Sequence, residues 1–316
     1  SHMEILLIDD GSTDGAGEYC DKLSEIDARI KVIHQNNQGV SRARNNGTAI
    51  ASGDYIMYVD ADDLLAPFAL EEGMSAIKNT NADMAIAGIV QIRKPEAFFD
   101  YIDSAINEYI LYEKDQFYLF KRHYMISSEQ FMGIRGEGYI NRGPCSRIIT
   151  AQIAKKILFP EGLPIGEDVL WNMTLLNECK KVCVVKNIWY GYLVHGPSAI
   201  RGYYGNREQF ASLYLKRLWK ENQEFFKTYK KDYVKNVALE FYCVLNYDLL
   251  SDKCDMTGKE KKQYVRYCIA KEPWKILFDK NAKNGLPIMY KLLLSQCYSG
   301  LWLELLTIKN KILKLF

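Results

Sequence analysis

Carboxylates gather at three places in this sequence, each with the spacing of a group that holds a cation or moves a proton. Asp60-Ala61-Asp62-Asp63 ends the apolar run YIMYV at 55–59. Two carboxylates two residues apart in a turn suit a hard divalent cation, which keeps some of its waters and shares diphosphate oxygens with the protein. Such a cation neutralises the charge that builds on a departing diphosphate. Taken alone, an Asp after a strand also serves simply to start a turn or cap a helix. The second place is Asp9-Asp10-Gly11-Ser12-Thr13-Asp14, after the apolar run EILLI at 4–8. Gly11 permits a sharp turn there, and Asp10 can accept a heterocyclic N–H; the same segment reads equally as an Asx turn leading into the next helix. The third is Glu167-Asp168, where a carboxylate can take the proton of an attacking hydroxyl. By itself that pair is also the acidic first turn that a helix dipole favours.

The elements needed to bring these groups together are legible as alternating short apolar runs and amphipathic stretches, the pattern of a parallel sheet flanked by helices. Strands are expected at 4–8, 30–34, 55–59 and 84–92, with helices at 15–26, 40–51 and from Pro67 to about Lys78, since proline costs nothing in a first helical turn. Asp9 and Asp60 then both follow strands, and open parallel sheets bind ligands just beyond the carboxyl ends of their strands. Residues 96–140 lose the alternation and read as helices followed by a mobile loop around Gly133, Gly136 and Gly138, an insertion of the kind that is more often functional than accidental. A helix is expected at 146–153, another from Gly166 to Asn177, and strands at 182–185 and 188–194, the last ending at His195. Beyond Arg201 the pattern is helical, with breaks at 252–257 and 284–287.

Bulk composition narrows the class of protein. A chain of 316 residues with 48% hydrophobic content buries a substantial core and fits two domains. The net charge of +2 is unevenly spread, residues 201–316 holding 22 basic and 12 acidic side chains. Those lysines are dispersed, so the clustered basic face of a nucleic-acid binder is missing. No G-x-G-x-x-G follows a strand, which removes a dinucleotide-binding oxidoreductase. Eight scattered cysteines read as reduced thiols in a cytoplasmic protein, and no apolar stretch of about 18 residues offers a membrane span.

Together, residues 4–63 (EILLIDDGSTDGAGEYC through YIMYVDADD), the block Phe159-Pro160-Glu161-Gly162 to Gly166-Glu167-Asp168, Tyr192 and the segment 195–200 resemble family 2 glycosyltransferases of the GT-A fold, of the bacterial surface-glycan type. The resemblance implies an α/β, Rossmann-like nucleotide-sugar-binding domain over residues 4–200, with the insertion at about 96–140, and a helical carboxyl-terminal domain over 201–316. It implies an inverting, metal-dependent transfer of a hexose (galactose, glucose or N-acetylglucosamine) from a UDP-sugar to a carbohydrate acceptor hydroxyl. That acceptor would be a polysaccharide, a lipid-linked glycan or a protein-linked glycan.

By the same resemblance Asp10, beside Asp9, looks like the partner of the uracil, and Arg44 like the basic residue beside the nucleotide. Asp60 would lie near the ribose and metal, Ala61 completes the motif, Asp62 would ligate Mn2+ or Mg2+ directly, and Asp168 would be the catalytic base. His195 is either a third metal ligand, its imidazole favouring Mn2+, or a hydrogen-bonded structural histidine. The family ordinarily has a further strand and helix ahead of the strand that ends in Asp-Asp-Gly-Ser, and this sequence starts at that strand. The expectation is therefore either a missing preceding segment or a crippled donor site, the latter making the chain an inactive nucleotide-sugar or glycan-binding module. The last segment, IKNKILKLF at 308–316, is basic and amphipathic, a pattern suited to weak peripheral contact with the inner face of an anionic membrane.

Overall fold

A computed structural model describes residues 3–102, 104–106, 108–126, 138–194, 202–279, 286–297 and 302–303. The chain divides into two compact units, residues 1–195 and 196–316.

In the first unit the opening elements fall where the alternation places them: β1 (Ile5–Asp9), α1 (Ala16–Ile26), β2 (Ile30–His34) and α2 (Val40–Ile50). β1 and β2 pair in parallel from Ile5 opposite Ile30 to Asp9 opposite His34. These two form their own sheet. The larger sheet contains β3 (Tyr55–Met57), β4 (Leu64–Leu65), β5 (Met84–Ile92), β6 (Tyr109–Glu113), β7 (Arg147–Thr150) and β8 (Lys181–Leu193). Its order is β3-β7-β5-β8-β4, with β6 also on β8. β5 is buried along nearly its whole length, as an almost continuous apolar run must be when both faces are covered.

Two expectations change here. The sheet is mixed: only β1 with β2 and β5 with β8 run parallel, while β7 lies antiparallel between β3 and β5, and β4 and β6 lie antiparallel on β8. Antiparallel neighbours need no crossover helix, so strands as short as β4 and β7 can be added without lengthening the chain. The helix expected at 146–153 is instead β7 followed by α5 (Ala151–Lys156). The β-branched pair Ile148-Ile149 favours extended backbone, and both side chains are buried in the sheet. Likewise 182–185 and 188–194 are one strand, with Lys186 and Asn187 absorbed in a register shift against Gly88.

Helix α3 (Ala69–Thr80) covers this sheet at close range. A Cβ on Gly73 would stand 2.5 Å from both Ile148 Cδ1 and Trp189 Cη2. Beside it the buried Glu72 carboxylate accepts from Trp189 Nε1 at 2.6 Å and Ile106 N at 2.6 Å. The 96–140 region contains a 3-10 turn at 95–100, β6 and α4 (Tyr118–Ile126). The loop expected around Gly133 and Gly136 lies outside the described residues, as does His195.

After α6 (Glu167–Glu178), which begins and ends almost where expected, β8 closes the first unit. The second unit is helical: α7 (Arg207–Glu221), α8 (Gln223–Cys243) with a kink at Tyr229, a π-helical turn at Val244–Leu249, α9 (Gly258–Ile269), a 3-10 turn at Trp274–Phe278 and α10 (Ile288–Gln296). Trp274 is fully buried in the core, and the half-buried Trp219 stacks on the buried Phe226 at 5.5 Å. Among the described residues no helix is long and apolar enough to cross a membrane. Residues 308–316 lie outside them.

Candidate active site

Helix α2 ties the carboxylates of β1 to those beyond β3. At its amino end Asp10 accepts from Gln38 N (2.9 Å) and Gln35 Nε2 (2.7 Å) on one oxygen and from Gly39 N (2.8 Å) on the other. Gly11 lets the chain make this approach, with φ of +75° and a position where a Cβ would lie 2.8 Å from Asn37 N. Five residues into the helix direction, about 7.5 Å along at 1.5 Å per residue, Arg44 Nη2 donates to Asp60 Oδ1 at 2.7 Å. The two acidic strand ends therefore share one helix, although their strands belong to different sheets.

The acidic run after β3 splits by role. Asp60 N donates to the Tyr190 hydroxyl at 3.0 Å, which fixes the backbone, and its side chain remains 39% exposed. Asp63 turns back to the sheet, where Leu193 N donates to its Oδ1 at 2.9 Å, and burial pushes its carboxyl pKa up. Ala61 and Asp62 are exposed. Asp60 and Asp62 thus provide two solvent-facing carboxylates on one tight turn, Asp63 N donating to Asp60 O at 3.1 Å. Hard oxygen donors of this kind fit a divalent cation that retains several waters. Among the described residues no three His, Cys, Asp or Glu side chains converge on one point as a complete ligand set.

Arg44 is also the link to the third acidic place. Its guanidinium lies over the Phe159 ring, 5.3 Å from the centroid. Phe159 stacks on Trp171 of α6 at 4.3 Å, and Tyr58 meets both rings edge-on at 5.1 and 5.6 Å. Asn45, the neighbour of Arg44, holds the Phe159 backbone from both sides: Phe159 N donates to Asn45 Oδ1 at 2.8 Å, and Asn45 Nδ2 donates to Phe159 O at 2.9 Å. Arg42 adds an ion pair to Glu161 at 2.9 Å.

This turn leads to Gly166, whose left-handed φ of 77° starts α6 at Glu167 and Asp168. Desolvation in the wall of the site raises the pKa of both carboxyls, and the neighbouring charge of Asp168 lifts Glu167 further, to about 7. The field of Arg44 acts on both in the opposite sense. Asp168 Oδ1 accepts from Val169 N at 2.7 Å.

Several of these contributors carried no sequence signal of their own. Arg147 of β7 is fully buried, donates to Asn141 O and Gly143 O at 3.2 and 2.6 Å, and bonds Asn172, which in turn donates to Asp168 O at 2.9 Å. Ser146 adopts a positive φ of 59° and donates from Oγ to Ala87 O at 3.1 Å. Asp9 takes another course: Oδ1 accepts from Ser12 N at 2.9 Å and Oδ2 bonds His34 Nδ1 at 2.8 Å, while His34 Nε2 bonds Asp21 at 3.0 Å. Asp9 therefore organises its own loop and the face of β2.

The described site can be set beside known proteins. Residues 1–139 match the model of glycosyl transferase family 2. Glycosyltransferase GlyA of Streptococcus pneumoniae is 30% identical over 203 residues, 63% of this chain and 27% of that protein. Glycosyltransferase GlyG of the same species is 26% identical over 194 residues, 60% of each. The chain thus spans less than two thirds of either relative. The crystal structure of S. aureus TarS 1-349 in complex with UDP-GlcNAc superimposes with a TM-score of 0.59 at 16% identity, covering 99% of this chain and 83% of that one.

Proposed function

The amino-terminal unit belongs to glycosyl transferase family 2 and has the GT-A fold, and from that premise we propose that the chain is an inverting, metal-dependent hexosyltransferase acting in bacterial glycan synthesis. Its donor is a UDP-sugar and its acceptor a carbohydrate hydroxyl. The observation that carries this reading is the meeting of two kinds of carboxylate on Arg44: the exposed pair Asp60 and Asp62, and the buried pair Glu167 and Asp168 with raised pKa values. The first kind suits a cation and the second a proton.

Asp60 and Asp62 would hold a divalent cation, which when bound supplies the charge that a departing diphosphate needs. Arg44, with Asp60 on one side, adds a fixed positive charge beside that diphosphate. Asp10 keeps the loop 35–39 closed against β1, and its remaining lone pairs can meet the uracil edge. Asp168 takes the proton of the acceptor hydroxyl as it attacks the anomeric carbon from the face opposite UDP, so the configuration inverts. Glu167 raises the basicity of that neighbour through like charge. The donor class draws support from the fold relative solved with UDP-GlcNAc and from GlyA and GlyG, both named as glycosyltransferases.

The test is UDP release across a panel of UDP-sugars, with and without Mn2+, for the native chain and Asp62→Ala. Metal-dependent release with one sugar, lost in the variant, is the expected result. Silence with every sugar would move the chain to a nucleotide-sugar or glycan-binding module.

A further inference from the structure

The second unit contains a cavity that the transferase reading does not use. It has a volume of about 200 Å³ and lies among the start of α7, the π-helical turn, the 254–256 turn and α9. Val244 and Leu249 form an apolar floor, Tyr203 and Tyr264 contribute ring surface, and Glu208 and Asp255 contribute carboxylate oxygens. A π-helical turn widens the helix by one residue and occurs disproportionately at functional sites; here it supplies both floor residues.

Size and charge limit what this cavity takes. Sites for drug-sized ligands run roughly 300–1,000 Å³, so at about 200 Å³ this one matches a single ring better than a larger ligand. Asp248 also lines it, but that carboxylate is already committed: Tyr204 N and Arg207 N donate to it at 3.1 and 3.0 Å, and the buried Arg207 guanidinium stands 3.5 Å away. Glu208 accepts from Trp274 Nε1 at 2.7 Å. Asp248 is thus balanced by Arg207, while Glu208, bonded to a neutral indole, and Asp255 keep their charge as acceptors. The cavity offers acceptors beside aromatic and aliphatic surface, which is the chemistry of a pyranose ring: hydroxyl groups donate to carboxylates while the C–H face lies on tyrosine.

We infer that this cavity is a binding site for one neutral hexose unit of a glycan, separate from the donor site of the first unit. Its position on the helical unit lets it bind sugar without any nucleotide or metal, so the inference stands whether or not the first unit transfers a hexose.

Saturation-transfer difference NMR with methyl glycosides of glucose, galactose and N-acetylglucosamine tests it on the full chain. Two variants at exposed positions lining the cavity, Met256→Trp to fill the mouth and Asp255→Ala to remove an acceptor, leave the core untouched. Asp62→Ala serves as the control in the first unit. The expected result is saturation transfer to at least one glycoside without added metal or UDP, reduced at least fivefold by Met256→Trp and Asp255→Ala and unchanged by Asp62→Ala. Transfer that survives both cavity variants, transfer lost only in Asp62→Ala, or no transfer to any glycoside overturns the proposal.

Discussion

Arg44 and Asp60 form a 2.7 Å ion pair between α2 and the turn after β3, with the guanidinium only 13% exposed and the carboxylate 39% exposed. The arginine is thus the anchored partner, and the aspartate is the one with a solvent-facing side. A charge-assisted hydrogen bond of this type is worth about 1.5–3 kcal/mol, or roughly 10- to 100-fold in an equilibrium constant.

Arg44→Ala should therefore raise the donor KM by roughly 10- to 100-fold. Arg44→Lys should recover only part of this, because an ammonium lacks the planar fork. Initial-rate kinetics against UDP-sugar concentration decide it, and an unchanged KM in the alanine variant contradicts the role given to Arg44.

The acid pair predicts how activity follows pH. Glu167 and Asp168 both have raised pKa values, chiefly through desolvation, and the working form of a base is the deprotonated one. Activity is present above the folded-state pKa of Asp168 and falls as pH drops through it, so the acid limb of kcat/KM should lie above the ordinary carboxylate range. Glu167→Gln removes a like charge and should shift that limb to lower pH, whereas Asp168→Asn should cost about 10²- to 10⁴-fold at all pH values. Stability runs the other way. The protonated acids favour the fold, and that contribution, complete below about pH 4.5, is lost as pH rises toward about 7 for Glu167. Rate profiles and thermal melts over pH 4.5–8.5 should show these opposite trends.

Asn45→Ala leaves Phe159 N and O without their partners in a buried setting. Each unsatisfied buried group costs about 1–3 kcal/mol. Asn45→Asp keeps the acceptor for Phe159 N but sets a carboxylate against Phe159 O and Glu161, so it should destabilise at least as much as alanine. Urea denaturation gives both numbers, and a loss below about 0.5 kcal/mol for both variants contradicts the clamp.

Gly73→Ala inserts a methyl 2.5 Å from Ile148 Cδ1 and Trp189 Cη2. Overpacking of this sort costs about 1–3 kcal/mol. A lowered melting temperature in a thermal melt is the expected result, the crowded atoms belonging to Ile148 and Trp189.

The acidic ends of the apolar runs could be read directly, because a strand of continuous apolar residues that stops at Asp needs no neighbour to be recognised. Asp60 fell within such a local pattern, whereas Arg44 and Asp168 were picked out by the family resemblance; the structure pairs Arg44 with Asp60 directly. The mixed sheet could not be read in this way. β7 is four residues long, and its partners β3 and β5 lie more than fifty residues away in sequence, so nothing local distinguishes Arg147-Ile148-Ile149-Thr150 from the start of a helix. Asn45 and Arg147 escaped for a related reason. Each acts on backbone groups of distant segments, and a polar side chain that bonds a far carbonyl leaves no periodic mark. His195, read either as a third metal ligand or as a hydrogen-bonded structural histidine, lies outside the described part of the chain.

The stack of Phe159 on Trp171 also gives this site an optical voice. The ring that carries the Arg44 guanidinium is the ring in contact with a buried indole, and an indole's emission responds to the electric field around it. Any ligand that draws Arg44 away from Phe159 alters that field at a distance of one aromatic layer. Nucleotide-sugar binding at the proposed donor site should then register as a change in intrinsic fluorescence, on unlabelled protein and before any sugar is transferred.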